Sequence, residues 1–482
     1  MATAEIAFLD ACGQAELVRK GEVTAVELVN AAIERIERVN PRLNAVITPL
    51  FEKARLQAKR ADIPAGPFRG VPFLLKDLVC ASAEDPFHNG MRLLRDLRFV
   101  GPYDTFLAAK FRAAGFIFLG KTNTPELGLT ATTEPAAYGA TRNPWNPDRS
   151  PGGSSGGAAA AVAAGMVPVA HANDGGGSIR MPASECGLVG LKPSRGRVSL
   201  GPDYGDMWHG LVIEGVVSRS VRDTAAVLDA IAGPMPGDPY ATPPKARPFM
   251  REVGAPPGRL RIGMMRRAPA GGAPLHADCV AAVEQAARLL ESLGHRVEES
   301  HPSALDEREH SVHFISVVAC HAAETLAHLG RLVAREITQA DVEPWTWWLA
   351  ERGRSVSAAR YLEAANWLQV WTRRVAGWWV EGFDLLLTPT IAEPPPPLGS
   401  LIPSPHDLAK GLDRLLALMQ FTPEFNVTGQ PAISLPLYWN ADGLPIGLQL
   451  VAAFGGEDLL IRVAAQLEQA EPWAQRVPPV HA

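Results

Sequence analysis

Pro151-Gly-Gly-Ser-Ser-Gly-Gly157 and Asp174-Gly-Gly-Gly-Ser-Ile-Arg180 are two glycine-flanked serine sites separated by an alanine-rich segment. Glycines crowd a serine where the backbone has to approach a ligand closely or adopt positive φ. Successive peptide N–H groups at Gly175, Gly176, Gly177 and Ser178 can then converge on one anion, a bound phosphate or the oxyanion of an acyl transfer. Flexible linkers share the Gly/Ser composition, but linkers do not enclose an apolar segment such as residues 158–170. That segment is broken by Gly165 and Pro168. It is also shorter than the ~20 residues that cross a bilayer, so it reads as a buried helix and no membrane association is expected.

Apolar runs bounded by turn signals lie on both sides of this stretch. Residues 5–62 read as helices, one opened by a Thr24-x-x-Glu27 capping box and ending near Asn40-Pro41. Strands are predicted at 71–79, 116–119, 186–193, 260–264, 296–298, 383–388, 425–436 and 443–451. Helices are predicted at 49–61, 104–115, 218–233, 276–293, over most of 310–382, and at 457–470. Strands alternating with helices imply an α/β protein. No linker divides the 482 residues into autonomous halves.

Composition narrows the function. The chain is 47% hydrophobic and 20% charged, the balance of a soluble globular protein with a large core. A net charge of −5 gives no basic footprint, so nucleic acid is an unexpected partner. Cys12, Cys80, Cys186, Cys279 and Cys320 are scattered, odd in number and without CxxC spacing. That favours reduced thiols in the cytoplasm over disulfides or a zinc site. There is no HExxH either, and no metal is expected. The N-terminus lacks a basic region followed by an apolar run, so no signal peptide is expected.

Two motifs mislead. Gly115-Phe-Ile-Phe-Leu-Gly-Lys-Thr122 fits G-x4-G-K-[ST], but its variable residues are themselves an apolar strand, leaving no loop to cradle phosphates. Gly152-Gly-Ser-Ser-Gly156 fits the G-x-S-x-G elbow, yet what precedes it, Asn143 to Pro151, is loop and not the strand that motif requires. More informative is Lys76, set among leucines in Val71-Pro-Phe-Leu-Leu-Lys-Asp-Leu-Val79. An ammonium there either snorkels to water or loses its proton, and in the second case it is a base. The seven tryptophans between 345 and 379 suit helix packing better than a pocket wall.

With these pieces together the chain resembles the amidase signature family. The resemblance rests on the two serine motifs at their 24-residue spacing, and on Gly70-Val-Pro-Phe-Leu-Leu-Lys-Asp77 and Leu119-Gly-Lys-Thr-Asn123. Gly187-x-x-Gly-Leu-Lys-Pro193 and Gly443-Leu-Pro-x-Gly-Leu-Gln449 extend it over residues 5–473. Within the family it looks most like the nylon-oligomer hydrolases, through Thr133-Glu-Pro135, Gly139 to Trp145 and His171-Ala-Asn-Asp174.

The resemblance implies a single domain, a mixed twisted sheet covered by helices on both faces. Helices would occupy 5–62 and the catalytic core 66–200. Pocket-shaping helices and loops would fill 201–425, and 426–473 would complete the core. It implies a Ser–cis-Ser–Lys triad, with Ser178 as nucleophile, Ser154 as bridge and Lys76 as base, and no cofactor. The amides of Gly175, Gly176, Gly177 and Ser178 would bind the oxyanion, where one donor is worth roughly 3–4 kcal/mol of barrier. Ser155, Asp174 and Arg180 would support them, and Asn89, Gly90, Met91, Thr130 and Cys320 would touch substrate. The expected activity is hydrolysis of amide-type C–N bonds in a small amide or carbamate. A tRNA-dependent amidotransferase subunit and a non-catalytic binding protein are the alternatives; the sequence leaves the oligomeric state open, with a homodimer the common arrangement for enzymes of this kind. Gly175 replaces a more frequent Thr or Ile, which predicts a more pliable loop.

Overall fold

The computed structural model describes residues 6–482. Its sheet has eleven strands among the described residues: β1 (Val46–Pro49), β2 (Pro72–Lys76), β3 (Ile117–Thr122), β4 (Val169–Asp174), β5 (Val189–Lys192), β6 (Ile213–Ser218), β7 (Arg261–Met264), β8 (Arg296–Glu299), β9 (Leu385–Pro389), β10 (Ala432–Trp439) and β11 (Pro445–Ala452). Their order is β1-β3-β2-β4-β6-β5-β10-β11-β9-β7-β8. The β2–β3, β2–β4, β7–β8 and β7–β9 pairs are parallel. The other pairs are antiparallel, so the sheet is mixed.

Successive side chains of a strand point to opposite faces, and the two halves of the core follow that alternation. Phe73, Leu75, Phe116 and Phe118 pack with the helices Phe106–Ala113, Val221–Ile231, Ala277–Ser292 and Glu457–Ala470. Leu74, Ile117 and Leu119 face the other way, toward Ala25–Leu43 and Gly156–Ala163. The helices Glu309–Leu332, Pro344–Arg354, Ala358–Val380 and Leu408–Leu418 build two further clusters that enclose the serine loops. Glu309–Leu332 is long and apolar enough to cross a membrane; here much of its apolar surface packs on the neighbouring helices and lines a cavity.

Several expectations are corrected. The 5–62 region also contains β1, a four-residue edge strand too short to carry a periodic signal. Its capped helix runs through Pro41 to Leu43, where Asn44 caps it in a left-handed conformation. Proline removes one backbone donor, which the last turn of a helix tolerates better than its interior. The 158–170 segment is not one helix: Gly156–Ala163 ends at a turn through Gly165, and β4 begins at Val169. β6 was hidden in the region assigned to helices and loops, and Pro423–Val427 is helical where a strand was expected.

Candidate active site

Adjacent parallel strands bring the functional side chains together. β2 ends at Lys76, and its neighbour β4 ends at Asn173 and Asp174. Ser154 and Ser155 lie just before the Gly156–Ala163 helix, and the Gly153–Ser154 peptide is cis. The flanking glycines are there for space: a Cβ on Gly157 would lie 2.4 Å from the backbone nitrogen of Asn123.

Lys76 is completely buried, with Nζ 2.7 Å from Ser154 Oγ, 2.9 Å from Ser155 Oγ and 2.6 Å from Asn173 Oδ1. Ser155 spends its own proton on the Asn173 carbonyl (3.2 Å), so toward Lys76 it is an acceptor. Asn173 Nδ2 donates to the Leu78 carbonyl (3.2 Å), which turns Oδ1 toward the lysine. Burial pushes the Lys76 ammonium down to about 7, against the opposite pull of the Glu214 and Asp174 carboxylates. A neutral amine has two N–H groups and one lone pair. Ser155 and Asn173 take the two hydrogens, and the lone pair is left for the Ser154 hydroxyl. The geometry therefore gives proton transfer a direction, from Ser154 to Lys76.

Behind the second motif Asp174 organises the turn. Its carboxylate accepts from the amides of Gly177 (2.7 Å) and Ile179 (3.1 Å) and from Arg180 Nε and Nη2 (both 2.9 Å). Asn426 Nδ2 donates to it at 2.9 Å, and Arg180 Nη1 reaches Gln449 Oε1 at 2.8 Å. Burial opposes ionisation of Asp174, but the charge and hydrogen bonds of Arg180 outweigh it and hold the carboxyl well below its usual range. Ser155, Asp174 and Arg180 thus occupy supporting positions. Gly177 does not fit its expected place in the oxyanion hole, because its amide is already given to Asp174. The amides of Gly175, Gly176 and Ser178 donate to no backbone or side-chain group among the described residues. They belong to a turn that Asp174 ties down through Gly177 and Ile179, an arrangement able to receive an anion.

Ser154 and Ser178 open on one cavity of about 800 Å³, and no hydrogen bond joins their hydroxyls. Thr130 and Trp345 line it with Leu127, Phe314, Val318 and Met419. Among the described residues, none of its lining side chains is charged. The other expected substrate contacts lie elsewhere. Asn89 lines a neighbouring cavity of about 1230 Å³. Gly90 backs onto the Thr124 and Pro125 carbonyls, and Met91 is buried in the packing of the covering helices. Cys320 shares a helix with Phe314 and Val318, but its thiol turns to the Gly353 carbonyl at 3.9 Å. Cys320 lies two residues beyond Val318, about 200° further round the helix, and so on the face that packs rather than the face that lines the cavity. Trp208 and Phe314 lie in no quoted motif, and Asn173 stands in the His171-Ala-Asn-Asp174 stretch without an expected role. The available signal for Asn173 was a polar residue inside a fully buried strand next to a glycine turn.

A family model described as amidase matches residues 27–461. The chain belongs to the amidase family. It is 45% identical over 481 residues to the 6-aminohexanoate-cyclic-dimer hydrolase of Pseudomonas sp. (strain NK87), covering 97% of this chain and 96% of the relative. A solved structure of 6-aminohexanoate cyclic dimer hydrolase complexed with substrate superposes with a TM-score of 0.95 at 44% identity, over 99% of this chain and 100% of the other. A bacterial aryl acylamidase of the amidase signature family matches with a TM-score of 0.85 at 28% identity, over 97% of each. This amidase is a hydrolase of carbon–nitrogen bonds other than peptide bonds, with a mixed-sheet α/β fold shared with these structures.

Proposed function

We propose that the amidase cleaves uncharged secondary amides of small organic molecules, with linear or cyclic oligoamides first, then anilides and carbamates. One observation carries this reading: the cavity holding both serines offers hydrophobic walls, the hydroxyls of Ser154, Ser178 and Thr130, and free amides, but among the described residues no charged side chain to recognise a free ammonium or carboxylate. A buried charge without a partner is costly, so a zwitterionic amide donor such as glutamine, which the amidotransferase reading needs, fits poorly. Similarity to a hydrolase of a cyclic oligoamide supports the same choice.

In this mechanism Lys76 is neutral and takes the proton of Ser154, which takes that of Ser178 as the Ser178 Oγ attacks the carbonyl carbon. The amides of Gly175, Gly176 and Ser178 stabilise the oxyanion. The tetrahedral adduct collapses as the C–N bond breaks, and the proton returns through Ser154 to the leaving nitrogen. Water, deprotonated by the same relay, then releases the acid from the acyl-enzyme. We place this chemistry in the cytoplasm, where the five free thiols would stay reduced.

The test is amine release from an aliphatic amide, an anilide, an aryl carbamate and a 6-aminohexanoate cyclic oligomer, with ammonia release from glutamine alongside, by wild type and Ser178→Ala. The wild type is expected to release amine from the neutral substrates, and Ser178→Ala to lose roughly a thousandfold or more in rate. Release only from charged amides such as glutamine overturns the substrate class. Undiminished release by Ser178→Ala overturns the nucleophile.

A further inference from the structure

We propose that Trp208, seated in the space left by the missing side chain of Gly175, is the specificity-determining residue of this amidase. In that role it adapts the site to amides bearing an apolar group on both sides of the scissile bond. The proposal rests on the hydrolase reading above and adds the second subsite. Gly175 is not in a left-handed conformation, so its backbone does not require glycine. A Cβ there would instead lie 2.9 Å from Trp208 Cζ3 and 3.0 Å from Cε3, closer to the indole than van der Waals contact allows. The residue expected to make the loop pliable is a seat for an aromatic ring.

The chain goes out of its way to put the ring there. Trp208 and His209 both have positive φ, +54° and +57°, in consecutive non-glycine residues. Bulky side chains rarely adopt that conformation. The turn is tied by Leu211 N–H to the Trp208 carbonyl (3.3 Å) and by Val212 N–H to the Met207 carbonyl (3.4 Å). Asp206 closes it, accepting from the Gly210 amide and, at 2.9 Å, from the Tyr240 hydroxyl.

From this seat Trp208 lines two cavities at once. One holds Ser154 and Ser178; the other, of about 1230 Å³, has no catalytic group and is walled largely by hydrocarbon. Leu78, Val79, Leu127, Leu129 and Met207 are the neighbouring residues common to both. The titratable groups of the second cavity are Asp203, His328, Tyr204 and Tyr103, and the Tyr103 hydroxyl donates to Asp203. Tyr103 and Leu332 line it and are 43% and 47% exposed, which marks its mouth. A carbonyl held by the Gly175 and Gly176 amides lies beside the ring that separates the cavities. One apolar arm of the substrate then fills the catalytic cavity, and the other passes along the indole into the second.

The experiment compares kcat/KM for N-hexyl and N-methyl amides of one acyl group. The enzymes are wild type, Trp208→Ala, Trp208→Phe, and Thr325→Trp, which narrows the second cavity at a residue that does not line the first. Wild type is expected to favour the N-hexyl amide by about tenfold or more. Thr325→Trp should reduce that ratio by about tenfold through KM, and Trp208→Ala should change it more than Trp208→Phe does. A ratio that is the same in all four enzymes overturns the role of Trp208 and of the second cavity while leaving the hydrolase reading intact. Failure of the wild type to cleave either amide overturns the hydrolase substrate class, and this proposal with it. Should Trp208→Ala not fold, Trp208→Phe and Thr325→Trp carry the comparison.

Discussion

Lys76 is tuned by a pair of residues its side chain does not touch. The Lys76 backbone amide donates to His171 Nδ1 at 3.2 Å, and His171 Nε2 lies 2.6 Å from Glu214 Oε2. A ring nitrogen that accepts an amide hydrogen carries no proton of its own, so the His171 proton sits on Nε2 and is donated to Glu214. Glu214 then bears the negative charge, and that charge favours the ammonium form of Lys76. Since the base works only when neutral, kcat/KM should rise with pH along an acid limb centred near the lysine value of about 7. Glu214→Gln keeps an acceptor for His171 but removes the charge. Lys76 then loses its proton more easily, and the limb should move to lower pH by roughly half a unit or more. A limb that stays in place or moves to higher pH rejects this coupling. The triad positions were legible because their residue types sit in quotable motifs. Glu214 lies in no such motif, and the roles of His171 and Asn173 were not legible although both stand in a quoted stretch, because a polar side chain inside a buried strand looks the same in sequence whether it faces a lysine or a structural partner.

Between elements, the tightest constraint on the cavity is a glycine. A Cβ on Gly353, in the Pro344–Arg354 helix, would lie 2.0 Å from the Ala319 carbonyl oxygen and 2.4 Å from its carbon, in the Glu309–Leu332 helix. Backbone cannot rotate away as a side chain can, so Gly353→Ala has to push the two helices apart. The same helices supply Phe314, Ile315 and Val318 from one side and Trp345 and Leu349 from the other to the catalytic cavity. Gly353→Ala is expected to cost about 1–3 kcal/mol of stability, read as a lower Tm. It should also raise KM for a bulky amide more than it lowers kcat, because Lys76, Ser154 and Ser178 lie on other elements. An unchanged Tm and KM would mean that the helices do not control the cavity. The helical character of 310–382 was legible from periodicity, and most of its tryptophans do pack helices. That Trp345 instead lines the cavity depends on which turn of the helix faces the serines, and composition does not carry that information. β4 and β6 escaped because His171, Asn173 and Asp174 in the one, and Glu214 and Gly215 in the other, leave no continuous apolar run of the kind that marks a buried strand.

At the scale of the molecule, the α/β class follows from alternating runs, but the strand order does not. β4 joins β6 and β10 joins β5 through long-range pairing that no local signal specifies. Residues 10–12 and the helix Glu457–Ala470 come together on the helix Val221–Ile231 in a cluster of three carboxyl groups and one guanidinium. Asp223 accepts from the amides of Ala11 (2.6 Å) and Cys12 (2.9 Å), Arg222 pairs with Asp10, and Glu468 accepts from the Val221 amide at 3.1 Å. Burial, and after it the Asp10 and Asp223 charges, raise the Glu468 carboxyl to about 7. Its folded-state value thus exceeds the roughly 4.3 of an unfolded chain. The stability it contributes is full below that unfolded value and is lost as pH rises through about 7. Glu468→Gln keeps the acceptor for Val221 and removes the titration. Between pH 4 and 8 the Tm of wild type should therefore fall relative to that of the variant. After allowance for partial exposure the change amounts to about 1 kcal/mol, or a few degrees at most. If the difference in Tm is constant across that range, or grows in favour of wild type with rising pH, this cluster does not hold Glu468 protonated. The activity limb set by Lys76 would be the same in both enzymes, which separates this effect from the chemistry of the site.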